Sequence, residues 1–211
     1  MSNVEMGESG GMELPLPRLV LASASPRRQA LLREGGYEFE VHPANIDEEK
    51  YPAGMLPAEV ALYLAVGKAE AVGALFPKDV TLAADTVVAF GDKLLGKPAG
   101  PREAREMLEL LEGTTHIVIT GVCVYHMAAD FKRSTRVMSA VRMRRLSGGE
   151  IARYVESRDW EGKAGGYGIQ DSDPFVTRMS GSHTNIVGLP MTTVKDLLGA
   201  AGVYPKGKSG T

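Results

Sequence analysis

Arg27 and Arg28 stand in LASASPRRQALL (Leu21–Leu32), where Ser25-Pro26 reads as an N-cap followed by proline at the first helical position. A helix N-terminus is already the positive end of the macrodipole, so two cations in its first turn oppose it. Free N–H groups at such a start bind anions, and guanidiniums match phosphate oxygens with their forked donors. Either an anion sits there or both arginines point into solvent. Lys68 poses a related choice. It falls on the stripe of Val60, Leu64, Ala71 and Leu75, so it either snorkels to a rim or faces a cleft that something negative fills. Asp85 interrupts the apolar run TLAADTVVAF, where a carboxylate needs a metal, a cation or hydrogen-bond donors. It suits metal binding, activation of a water, or a structural hydrogen bond to a loop.

Two further stretches carry chemistry. LLGKP sets Lys97 just after a strand, and WEGKAGGYGIQ (Trp160–Gln170) holds four glycines together with Lys163 and Gln170. Glycines let backbone N–H groups come close to a ligand, although the spacing is not that of a Walker-type loop. The acidic loop ANIDEEKYPAG brings Asp47, Glu48 and Glu49, which with Asp85 could hold a hard cation such as Mg²⁺; otherwise they are solvated loop charge. The histidines at 42, 116, 126 and 183 have no zinc-like spacing. Cys123, the single cysteine, lies in an apolar run and reads as a core residue.

The elements that position these residues follow from pattern and punctuation. A short strand over 18–23 leads into a helix ending near Glu34 before Gly35-Gly36, and a second helix spans about 57–75. A strand through Asp85 returns by a GDK turn as a hairpin. Residues 101–112 form a third helix, and THIVITGVCVYHM and STRVMSAVRMRRL form two long strands. In the second of these, Arg136, Arg142 and Arg144 alternate with Val137, Val141 and Met143, so one face is wet. SGGE (Ser147–Glu150) has capping-box spacing. A short strand pair near 175–187 and a helix from Pro190 complete the body. Hairpins mixed with helices predict an α/β fold with a mixed sheet.

Composition sets the outer limits. With 44% hydrophobic residues, 24% charged residues and a net charge of −2, the chain reads as a soluble globular protein without a global positive field. A nucleic-acid polymer is therefore not an expected partner, and no apolar run approaches the ~20 residues that span a bilayer. Residues 1–16 read as a flexible leader, 17–203 as one domain and 204–211 as a flexible tail. The lone cysteine suits a reducing cytoplasm.

Taken together, SASPRR (23–28), IDEE (46–49), AADT (83–86), LGKP (95–98), TGV (120–122), GKAGGYGIQ (162–170) and NIVGLP (185–190) resemble the Maf family of nucleoside triphosphate pyrophosphatases. The likeness runs from about Leu19 to Gly202. It implies cleavage of a nucleoside triphosphate between the α- and β-phosphates with a divalent metal, Mg²⁺ or Mn²⁺. The implied fold is an elongated mixed β-sheet with flanking helices and a central cleft (Maf/ITPase-like), in a homodimer. By this resemblance Asp85 is the proton acceptor for the attacking water, and Glu48 is an acidic residue that acts through metal, with Asp85 as the other ligand. Arg28, Lys68 and Lys97 match cations of the triphosphate site, and Ser25 and Lys163 fall in substrate-binding motifs. Arg27, Thr86 and Gln170 agree with the branch acting on dTTP, UTP and modified pyrimidine nucleotides. The sister branch, acting on 7-methyl-GTP, has Trp, Gln and Glu there. Other readings are the same reaction on 7-methyl-GTP or a non-standard purine such as ITP, and a nucleotide-sensing regulator of septum formation. One departure stands out: Asp171-Ser172-Asp173 follows Gln170, where the family usually has glycine.

Overall fold

The computed structural model describes residues 17–171 and 175–206. The leader assigned to 1–16, the tail residues 207–211, and Ser172 and Asp173 lie outside the described residues.

The chain begins with β1 (Leu19–Leu21), α1 (Pro26–Glu34), β2 (Glu40–Val41) and α2 (Pro57–Gly73). The hairpin of β3 (Val80–Phe90) and β4 (Lys93–Leu95) follows, then α3 (Pro101–Leu111). The long strands β5 (Thr115–His126) and β6 (Phe131–Met143) lead to α4 (Gly148–Ser157), β7 (Val176–Arg178), α5 (His183–Val187) and α6 (Met191–Ala200). The seven strands of the described residues join one mixed sheet in the order β2-β1-β3-β5-β6-β7, with β4 on β3. β1 runs parallel to β2 and β3, and the other pairs are antiparallel.

Strand alternation sorts β3 between two faces. Leu82 and Ala84 pack with α1 and α6, and Val88 joins a separate core with α3, α4, Trp160 and Tyr167. Ala83 and Val87 turn to the opposite face, which α2 covers. One face thus carries two cores side by side and the other carries a single long helix. As expected, Arg136, Arg142 and Arg144 are exposed while Val141 and Met143 are buried, and Cys123 is fully buried. Burial pushes the Cys123 thiol up to about 12, so it stays protonated.

Two local expectations change. The buried seam of α2 runs through Val60, Ala61, Leu64, Ala65, Lys68, Ala69 and Val72, whereas Ala71 and Leu75 are exposed. Three of these seven residues are alanines, whose small size lets the helix lie close to the sheet and which give little hydropathy contrast. Beside it, a Cβ on Gly121 would come within 2.2 Å of the Ala61 carbonyl oxygen, so only glycine permits this approach. The second change lies at 175–187. Only Val176–Arg178 is a strand, and His183–Val187 is helical. Ser182 caps that helix by accepting the Asn185 amide at 3.3 Å, and left-handed Gly188 ends it.

Candidate active site

The site is built on an interruption in the sheet. β1 covers Val80–Leu82 on one edge of β3, and β4 covers Val88–Phe90 on the same edge. Between them, Ala83–Val87 has no strand neighbour on that side among the described residues. The opening is therefore lined by Thr86 from one face of β3 and by Lys68 of α2 on the other, and buried Asp85 adjoins it through its pair with Lys68. A cleft of about 370 Å³ lies there. It is walled by residues 22–28, Glu48, Lys68, Lys97, the loop 161–171 and residues 186–188. Five cations (Arg27, Arg28, Lys68, Lys97, Lys163) and three carboxylates (Glu48, Glu161, Asp171) line it. A chain that is anionic as a whole is thus cationic here, which favours an anionic ligand.

Lys68 and Asp85 form the buried centre. Lys68 Nζ donates to Asp85 Oδ1 at 2.5 Å, and their side chains are only 5% and 6% exposed. Lys68 neither snorkels nor waits unpaired: it bridges to Glu48 Oε1 at 2.8 Å. Lys97 Nζ meets the other oxygen, Glu48 Oε2, at 2.6 Å. Partial burial works against ionisation of Glu48, but the two ammoniums outweigh it and hold its carboxyl down at about 2. Of the acidic loop only Glu48 turns inward. Asp47 accepts the amide of Glu49 and pairs with Lys50, so Asp47 and Glu49 do not join the site.

The arginines settle the puzzle of the helix start. Ser25 Oγ accepts the Arg28 amide at 3.4 Å, and Pro26 fills the first turn. Arg28 then folds back across the cleft. Nε donates to the Gly188 carbonyl at 2.8 Å, Nη1 to Ser23 Oγ at 3.1 Å and Nη2 to Thr86 Oγ1 at 3.0 Å. A guanidinium has five N–H groups, so two remain for a ligand. Burial lowers the Arg28 pKa from its ordinary value, against the pull of Asp85 and Glu48. Arg27 reaches the glycine loop, donating to the Gly162 carbonyl at 3.0 Å, and burial lowers its pKa against the pull of Asp171. Backbone and hydroxyl acceptors thus offset the conflict with the dipole before any ligand arrives.

Three further residues, to which the sequence reading assigned no role, hold this frame. Thr86 Oγ1 shares a 3.0 Å hydrogen bond with Thr120 Oγ1, which donates to the Asn185 carbonyl at 3.1 Å. The Asn185 amide donates to the Val118 carbonyl and to Ser139 Oγ. Neutral polar residues inside apolar runs, Thr120 in IVITGVCV and Asn185 in NIVGLP, were the available signal. Of the remaining expected residues, Gln170 is exposed at the cleft, while Lys163 is engaged by Asp171. Asp85 and Glu48 share the one ammonium of Lys68, and they are the two carboxylates that could be asked to hold a divalent cation here. Among the described residues no group of three His, Cys, Asp or Glu stands ready to hold a metal alone.

Residues 18–201 match the family model described as Maf-like protein. The dTTP/UTP pyrophosphatase of Cereibacter sphaeroides is 48% identical over 187 residues, covering 88% of this chain and 95% of that protein. The protein of the same name from Syntrophus aciditrophicus is 43% identical, covering 86% and 88%. Among solved structures, a HAM1 protein from Coxiella burnetii aligns with TM-score 0.42 and 18% identity over 62% of this chain and 74% of that one. With a family model spanning most of its length and relatives close to half identical, the chain belongs to the Maf family.

Proposed function

We propose that this chain hydrolyses dTTP and UTP, with modified pyrimidine nucleotides, to the monophosphate and pyrophosphate. The observation that carries the reading is the buried Lys68–Asp85 pair at the interruption of the sheet, whose lysine lines a cationic cleft. Phosphoryl transfer depends mainly on positioning and on stabilising charge, and the cleft supplies both. Arg28, fixed by Gly188, Ser23 and Thr86, presents its remaining donors to the phosphate chain, with Lys97 beside it. Asp85 has Lys68 as its one partner among the described residues, bound through Oδ1. Its other oxygen, Oδ2, takes the proton of the water that attacks the α-phosphorus. Lys68 orients that carboxylate and balances its charge. Asp85 and Glu48 are the residues that would hold Mg²⁺ or Mn²⁺, which when bound would neutralise charge building on the leaving pyrophosphate. The substrate class is supported by the names of the relatives and by the residues at Arg27, Thr86 and Gln170.

The proposal extends to a homodimer in the cytoplasm, supported by the family resemblance and by a single, buried cysteine. Among the described residues no helix is long and apolar enough to cross a membrane. Turnover of UTP, dTTP, 7-methyl-GTP and ITP side by side, with the products identified, tests the reading. Pyrophosphate and a pyrimidine preference are expected. Orthophosphate as the product would overturn the cleavage position, and a purine preference would overturn the substrate.

A further inference from the structure

Asp171 follows Gln170 directly at the end of the glycine loop, and its carboxylate holds three donors. Oδ1 pairs with Lys163 Nζ, and Oδ2 accepts the Gly168 amide at 3.0 Å and the Tyr154 hydroxyl at 2.6 Å. Lys163 and Gly168 belong to the glycine loop, while Tyr154 is buried on α4. One carboxylate therefore closes the loop on itself and fastens it to a helix. The Asp171 and Lys163 side chains are 16% and 12% exposed, so the pair is shielded from screening. Gly168 is shaped around this carboxylate: an added Cβ would lie 2.5 Å from Asp171 Oδ1 and 2.9 Å from Lys163 Nζ. Between Gly168 and Asp171, Ile169 packs against both cores that flank the cleft, and Gln170 lines it. The other end of the loop is held by Arg27 on the Gly162 carbonyl.

We propose that Asp171 is a positioning residue: it pins the glycine loop across the cleft and keeps Lys163 off the triphosphate, so that Gln170 and Arg27 meet the base in one fixed arrangement. The inference rests on the pyrimidine-nucleotide reading above. A Lys163 released from its carboxylate would attract phosphates whatever base they carry, and a loosened Gln170 would no longer choose among bases. Both changes lower discrimination while leaving the Asp85 end intact.

The test uses the full chain and three changes: Asp171→Asn, Asp171→Gly, and Gly168→Ala, which keeps the carboxylate but displaces it. In the ligand-free protein, hydrogen exchange at the Gly168 amide should accelerate about 10-fold or more in each variant. The ratio of kcat/KM for UTP over ITP should fall about 10-fold, through a lower KM for ITP, with kcat for UTP within about twofold of the parent. Gly168→Ala added to Asp171→Gly should do no further harm, because the two groups the methyl meets, the Asp171 carboxylate and the Lys163 ammonium it holds there, are then removed and released. Unchanged exchange at Gly168, or a lowered Tm with the UTP:ITP ratio preserved, would overturn the proposal. A parent enzyme indifferent to the base would sink the substrate reading instead, and Gly168 exchange would still decide whether Asp171 clamps the loop.

Discussion

The two ends of the cleft are held by different means. At the end proposed for the phosphates, Lys68 and Asp85 project from the packed layer where α2 lies on β3 and β5, and Arg28 is tied to three separate segments. At the end proposed for the base, Gln170 and Arg27 adjoin a glycine-rich connection with little regular structure of its own, bonded through Asp171 and through a buried His116–Tyr167 hydrogen bond of 2.6 Å. The first arrangement suits chemistry, which tolerates little displacement of the reacting groups. The second suits selection, because a loop can change its residues without disturbing the sheet. Altering the first should abolish turnover or stability, whereas altering the second should shift selectivity or the acid limit.

The largest effect belongs to the phosphate end. Asp85→Asn should lower kcat by about 10³-fold, the scale of a lost general base, with UTP still bound in equilibrium dialysis. A residual rate within tenfold of the parent would remove Asp85 from the reaction. Lys68→Met at the same place should show its effect in stability. It strands Asp85 as a buried, unpartnered carboxylate and should cost about 3–5 kcal/mol in denaturant unfolding. The double variant Asp85→Asn/Lys68→Met should lose clearly less than the two single changes together, since neither charge is then left behind.

Legibility in the sequence divides along the same line. Lys68 and Asp85 were conspicuous because a charge inside an apolar period contradicts its surroundings, and the contradiction survives folding as a buried ion pair. The arginines after Ser25-Pro26 were conspicuous for the same reason. Thr120, Ser139 and Asn185 give a fainter signal, since hydroxyls and amides fit strands and caps without electrostatic conflict. The helix at His183–Val187 was misread as a strand because five residues are too few for a helical period to show. The interruption in the edge of β3, which brings both of its faces to one cleft, is set by where β1 stops and β4 starts. No local pattern encodes it.

Acid should separate the two ends. Burial holds the His116 imidazole down at about 4 from its ordinary 6.5. The unfolded chain therefore takes up this proton near pH 6.5 and the folded chain only near 4. Stability from neutral His116 is complete above about pH 6.5 and is lost progressively down to about 4, on the order of 3 kcal/mol in all. Glu48 runs differently. Its depressed value of about 2 keeps the links to Lys68 and Lys97 ionised through that whole window. Because the unfolded Glu48 carboxyl takes up its proton only near 4.5, unfolding measured from pH 7 down to about 5 should steepen through His116, with Glu48 adding its own slope below that. His116→Gln should flatten the slope, and an unchanged slope would place the acid sensitivity elsewhere.

The smallest effect on folding tests how far the phosphate end is built for its ligand. Lys97 and Glu48 are 49% and 40% exposed, and a pair so open to solvent contributes less than about 1 kcal/mol. Lys97→Ala should leave Tm within a few degrees of the parent by calorimetry. Turnover should respond more: on the proposed reading Lys97 faces the triphosphate, so KM for UTP should rise about 10-fold while kcat falls less. Because screening weakens exposed charges first, the gap in KM between parent and Lys97→Ala should also narrow as salt is raised from 0.05 to about 0.5 M. Equal salt dependence in the two would mean that Lys97 holds Glu48 in place and leaves the phosphates to Arg28.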